Sequence, residues 1–177
     1  DKIIWSATLN EDHITEKGLE YFLSIVHGGT KSYYPPDSSI NPAAISVQIP
    51  EYDFPYVTLA NDYQMISIPF DANGQTLSDL FSDELGSYDN TKYRIYNWSQ
   101  VDSQFHEKTK MDETLPPGEA LYLITKTSKQ LNINDCQTVK TDEMFEIQLQ
   151  KGWNMISVPF AFPVSWLDAH QTSNKKD

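Results

Sequence analysis

One cysteine, Cys136, stands in the 177 residues, so the chain cannot close a disulfide on itself. Its neighbours in NDCQT are polar, and no base or electropositive group lies near it in sequence to activate a thiol nucleophile. It reads as a bystander. No apolar run approaches the roughly 20 residues that span a bilayer, so no membrane insertion is expected. Lys and Arg number 13 against 25 Asp and Glu, a formal net charge of −12, and no basic cluster offsets it beyond Lys175 and Lys176 in the tail. So acidic a surface repels phosphate backbones and anionic lipid, which excludes nucleic acid as an expected partner. The four histidines, His13, His27, His106 and His170, fall into no metal-ligand spacing, and HEKTK (106–110) lacks the second His of H-E-x-x-H. They read as surface residues. No catalytic signature is present, and the chain is expected not to be an enzyme. It also has no initiating Met and no signal-peptide pattern. It opens at Asp1 on a strand-like stretch and is expected to be a mature or excised piece of a longer polypeptide.

What is present favours β-structure. Ten Tyr, eight Phe and four Trp suit strands, and ten prolines are poorly tolerated inside helices. Strands are expected over IIWSATL (3–9), LEYFLSIV (19–26), KSYY (31–34) and AISVQI (44–49), with a turn at HGG (27–29). PEYDFPY (50–56) reads as a semi-rigid linker limited by Pro50 and Pro55. Beyond it, strands are expected over YQMISIPF (63–70), YRIYNW (93–98), near Phe105, EALYLITKT (119–127), KQLNIN (129–134), FEIQLQ (145–150) and WNMISVPF (153–160). EALYLITKT is apolar on both faces and reads as central. LPPG (115–118) reads as a type II turn around Pro117-Gly118. TLSDLFSDEL (76–85) is the best helix, with Thr76 as N-cap, an apolar stripe of Leu77, Leu80, Phe81 and Leu85, and Gly86 as the stop. Many short strands at roughly ten-residue spacing spell an all-β sandwich or barrel.

YQMISIPF and WNMISVPF share five of eight positions and lie 90 residues apart. The first is followed by TLSDLF and the second by VSWLDA (164–169), which sets Val164 and Leu167 at i, i+3. Ile66, Ile68 and Phe70, matched by Ile156, Val158 and Phe160, are expected to face one core. Ser67 and Ser157 lack a G-x-S-x-G elbow and read as packing residues. The second octamer either closes the same domain beside the first or opens a further repeat from about residue 152.

ITEKGLEYFLSIVHGG (14–29), with YYPPDSSINPAAISVQI after it, resembles the C-terminal half of immunoglobulin-like or fibronectin-III-like domains of bacterial surface and secreted proteins. The resemblance implies that Tyr21 caps a corner of that domain. The stretch from Tyr63 to Trp166 resembles β-rich repeats of large bacterial extracellular proteins, whose pattern is a GWN-[LM]-IS-[LV]-P strand, a short helix, a Y-x-W-like strand and a PG-x-[AG]-[FY]-[WL] strand. Here these are GWNMISVPF or YQMISIPF, TLSDLF, YRIYNW and PPGEALYLIT. The first octamer departs from the pattern, lacking the Gly and Trp. The resemblance implies an extracellular, secreted or cell-surface bacterial location, with neighbouring domains of the same polypeptide as partners. It carries no catalytic residues.

The expected architecture is thus mainly β. A partial Ig-like β-sandwich plus linker occupies 1–56, and a β-sandwich or barrel with one short helix occupies 57–177. The expected function is a non-catalytic structural, spacer or adhesion module. The alternative is a carbohydrate-binding accessory module of a secreted hydrolase, because Tyr96, Trp98, Trp153 and Trp166 offer faces on which sugars stack. Tyr96 and Trp98 are the candidate ligand-binding residues for a glycan or a surface protein, and Trp98, at a strand end, is expected to be the exposed one. Asp71 and Asn73 are the candidate oxygens for a weak extracellular Ca2+ site. Glu51 and Asp53 are spaced as a glycosidase-type carboxylate pair but read as solvated. NWS (97–99) fits the N-glycosylation pattern and reads as accidental.

Overall fold

The computed structural model describes Ser6 and residues 8–169. Of the expected strand over 3–9, residues 3–5 and 7 lie outside the described residues, as does His170. The fold is mainly β with one short α-helix and several antiparallel sheets, as expected. In chain order the elements are β1 (Leu19–Tyr21), β2 (Leu23–His27), β3 (Thr30–Tyr34), β4 (Ala43–Ile45), β5 (Gln48–Val57), β6 (Tyr63–Ile66), α1 (Leu77–Leu85), β7 (Tyr93–Ser99), β8 (Gln104–Glu107), β9 (Leu121–Thr125) and β10 (Gln130–Gln137). β1 pairs with β4, β2 with β3, and β5 with β10, each as a two-stranded antiparallel sheet. The fourth sheet has the order β6-β9-β7-β8, with β9 interior as its doubly apolar sequence requires.

One core joins the apolar sides of two of these sheets to the helix, which gives a sandwich-like arrangement. β5 contributes Ile49 and Phe54, and β10 contributes Leu131, Ile133 and Cys136. The four-stranded sheet contributes Ile66, Tyr93, Ile95, Leu121 and Leu123, and α1 its full stripe of Leu77, Leu80, Phe81 and Leu85. The helix is set by a capping box: Thr76 Oγ1 accepts from the Asp79 N–H at 3.2 Å, and the Thr76 N–H donates to the Asp79 carboxylate at 2.9 Å. Gly86, at φ +75°, ends it.

Several expectations are corrected. Residues 50–56 are no linker: they lie within the ten-residue strand β5, and Phe54 is a core residue. The prolines are tolerated because β5 pairs on one side only, with β10, and an edge strand accommodates missing donors. LEYFLSIV is two strands, not one. It breaks at Phe22, and its N-terminal part pairs with β4 while its C-terminal part pairs with β3. FEIQLQ forms no ladder despite its clean alternation. Phe145 and Ile147 instead pack over the 116–119 turn, where a Cβ on Gly118 would come within 3.0 Å of Ile147 and 3.1 Å of Phe145. The second octamer holds a single bridge, Ile156 to Glu119, in place of a strand. VSWLDA forms only a 3-10 turn at Trp166–Asp168, with Val164 and Leu167 exposed, so the expected i, i+3 stripe buries nothing.

Candidate functional site

Side chains alternate across a pleated strand, so the four-stranded sheet has an outward face as determined as its inward one. Tyr93 and Ile95 point to the core, which sends Arg94, Tyr96 and Trp98 outward. Register then decides what joins them. Trp98 lies opposite Phe105, Tyr96 opposite both Glu107 and Tyr122, and Met65 opposite Tyr122. The result is a continuous chain of rings. Centroids are 5.0 Å apart for Trp98–Phe105, 5.5 Å for Phe105–Tyr122, 6.5 Å for Tyr122–Tyr63 and 5.9 Å for Tyr63–Tyr96. Neighbouring rings meet at 57° to 90°, the tilted and edge-to-face geometry that aromatic quadrupoles favour. Tyr63 is 53 % exposed, Met65 50 % and Phe105 50 %, on a sheet whose other side carries the buried Ile66, Ile95, Leu121 and Leu123.

A single ion pair crosses this face. The Arg94 guanidinium grips Glu107 in bidentate fashion at 2.7 and 2.5 Å, and Tyr88 donates its hydroxyl to the same carboxylate at 2.6 Å. Arg94 also stacks over Tyr96, 5.1 Å from the ring centroid. The Arg94 hydrogen bonds hold the Glu107 carboxyl below its usual range and raise the guanidinium above its own. The bond to Glu107, followed by burial, pushes the Tyr88 hydroxyl up to about 12. The face is therefore mainly aromatic and electrically neutral, its one ion pair satisfied at the β7–β8 side.

Both sequence candidates, Tyr96 and Trp98, lie on this face, brought together by β7. Trp98 is half-buried rather than the exposed tryptophan expected, because Phe105 on β8 stands against it. The exposed ones are Trp153, at 81 %, and Trp166, at 78 %, in the segment after β10. Sequence reasoning missed Tyr63, Met65, Phe105 and Tyr122. Their signal is present as alternation within β6, β8 and β9, but only the register shows that they converge.

The remaining candidates are placed elsewhere. Asp71 Oδ1 accepts from the Asn73 N–H at 2.9 Å, and Asn73 Nδ2 donates to the Asp135 carbonyl at 2.8 Å, so the first closes a turn and the second fastens it to β10. Among the described residues no three His, Cys, Asp or Glu side chains are gathered closely enough to hold a metal ion. Glu51 and Asp53 sit on β5 opposite Asn134 and Asn132. Cys136 is fully buried, and burial, reinforced by Asp71 and Asp135, pushes its thiol up to about 11, far from thiolate chemistry. Ser157 donates to the Glu119 carbonyl at 2.9 Å, a packing role. Asn97 of the NWS triplet is mid-strand in β7 and half-buried. His106, exposed on β8, pairs with Asp102 of the preceding turn at 2.6 Å. Two open dents lie near the sheet, one lined by Ser87, Tyr88, Asp89, Asn90 and Lys92, the other including Asn61, Arg94, Ile124 and Lys126. Compared with family models, curated proteins and solved structures, the chain matches none.

Proposed function

We propose that the chain is a non-catalytic structural or adhesion module of a bacterial secreted or cell-surface protein, working through the outward face of its four-stranded sheet. The observation that carries this reading is the neutral aromatic face itself: five rings in series and Met65, partly open to solvent, on a chain of net charge −12. Exposed contiguous apolar surface on a soluble domain marks an interaction site more often than decoration. A rigid sheet backed by a core presents it without the ordering cost a loop would carry. The resemblance of both segments to modules of bacterial extracellular polypeptides supports the location. So does the hairpin β2–β3, which exposes Leu23, Ile25 and Tyr34 on one side and Val26 and Tyr33 on the other, as an element meant to pack on neighbouring domains would.

The alternative, a carbohydrate-binding accessory module, draws on the same rings. Sugar platforms need coplanar faces, whereas these rings are tilted against one another, which favours the protein-contact reading.

Fractionation of the producing cells, with adhesion measured for cells carrying the wild type or a Tyr63→Lys/Phe105→Lys variant of the full-length polypeptide, tests the reading. Recovery at the surface or in the medium, with adhesion lost in the variant, is expected. A cytoplasmic polypeptide, or adhesion indifferent to both substitutions, overturns it. Adhesion abolished by free glycan, with glycan-array binding, turns the assignment to the carbohydrate module.

A further inference from the structure

We infer that the occupant of the aromatic face is a second copy of this chain, the two four-stranded sheets packing face to face about a two-fold axis. The inference rests on the proposed role of that face and names its partner. Three observations lead to it.

The first is area. A half-exposed aromatic or Met side chain shows on the order of 100 Å². With the partly open Tyr96, Trp98 and Tyr122 and the Arg94 stem, the face presents roughly 600 Å² per copy, at the upper end of what monomers leave bare. Two such faces bury about 1,200 Å², the lower limit of specific interfaces. That is enough for a reversible dimer.

The second is charge. Each copy carries −12, which opposes self-association wherever acidic surfaces meet. This face is exempt: its one carboxylate, Glu107, is neutralised by Arg94 within the same copy. It is a place where two copies can touch without bringing their net charges into contact.

The third is geometry. Aligned packing of two antiparallel sheets is the standard way to cover such a face. Here the charges on the face are paired with each other, so an isologous contact desolvates no unpartnered charge. Tilted rings leave ridges and clefts that interlock with a copy of themselves more readily than with a flat ligand.

Sedimentation velocity of the chain from micromolar to submillimolar concentration, at about 0.1 M and about 0.5 M salt, tests this. The expected result is a concentration-dependent shift to twice the monomer mass. The dimer fraction rises with salt, because screening removes the repulsion between acidic bodies while the apolar contact is unaffected. Phe105→Lys and Tyr63→Lys should each raise the dissociation constant roughly tenfold or more, and Ile40→Lys, on an exposed loop away from the sheet, should leave it unchanged. Met65→Lys, on the same face, replaces either variant if it fails to fold by circular dichroism. A monomer throughout at both salts overturns the inference, as does a dimer that the face variants spare. A monomer whose adhesion is nevertheless lost on Phe105→Lys overturns the dimer alone and leaves the proposed function standing.

Discussion

YQMISIPF and WNMISVPF are nearly one sequence in two environments. In the first copy Ile66, Ile68 and Phe70 are all buried. In the second, Ile156 and Phe160 are only half-buried and Val158 is exposed. The difference lies in what each copy finds to pair with. Tyr63–Ile66 lie along four residues of β9, whereas the second copy meets the same region only at Glu119, through the Ala120 N–H to the Met155 carbonyl at 3.3 Å and the Ser157 N–H to the Gly118 carbonyl at 2.8 Å. The second position of the octamer contributes to this. Asn154 folds its amide onto its own neighbours, donating to the Gln150 and Gly152 carbonyls at 2.9 and 3.0 Å and accepting from the Gln150 N–H at 2.9 Å. A short amide that satisfies local backbone competes with a ladder. The longer Gln64 reaches back to the Leu59 N–H and leaves residues 63–66 free to pair. An alternating octamer thus specifies a face, and a partner strand decides whether that face is buried.

The largest test of this comparison truncates the same residue in both copies. Phe70→Ala should cost about 3–5 kcal/mol in urea unfolding and Phe160→Ala about 1 kcal/mol, since only the first leaves a cavity in a closed core. Equal losses would mean that the copies are energetically alike. Next in size, Gly118→Ala should cost roughly 2–3 kcal/mol, because Gly118 sits at φ +87° and its new Cβ would press on Ile147 and Phe145. A loss below about 0.5 kcal/mol would show that residues 145–147 do not lean on this turn. Asn154→Ala removes the local clasp and should cost on the order of 1 kcal/mol, read as a lowered thermal midpoint, with faster amide exchange at Gln150.

The smallest effect concerns α1, which borders the first octamer's core. Burial, with Oε2 left unpartnered, raises the Glu84 carboxyl above its ordinary pKa. A carboxyl raised in the folded state favours folding only below its unfolded pKa and loses that contribution as pH rises through the folded value. Glu84→Gln should therefore stabilise the chain at pH 7 by on the order of 0.5 kcal/mol and make no difference near pH 4. A variant less stable than the wild type at pH 7 would contradict the assignment.

Much of the local structure was legible in sequence, because capping, turn chemistry and alternation are short-range signals. Thr76 and Gly86 bounded the helix, Pro117-Gly118 marked the turn, and the doubly apolar EALYLITKT marked an interior strand. What failed depends on partners distant in sequence. Pro50 and Pro55 spoke for a linker only because the pairing of β5 with β10, about 80 residues away, is invisible locally. FEIQLQ alternates perfectly and finds no strand to pair with. The aromatic face divides along the same line. Tyr96 and Trp98 followed from the alternation of β7, whereas Tyr63, Phe105 and Tyr122 join them through register, which no local pattern encodes.

The central claim is that the outward rings serve contact rather than folding, and the Tyr63→Lys/Phe105→Lys double variant tests it most directly when stability and binding are measured on the same preparation. The account predicts an unfolding free energy within about 2 kcal/mol of the wild type, as expected for cross-strand pairs on a solvated face, together with loss of adhesion by the full-length polypeptide. A variant that unfolds as readily as Phe70→Ala, or one that binds as well as the wild type, would contradict it.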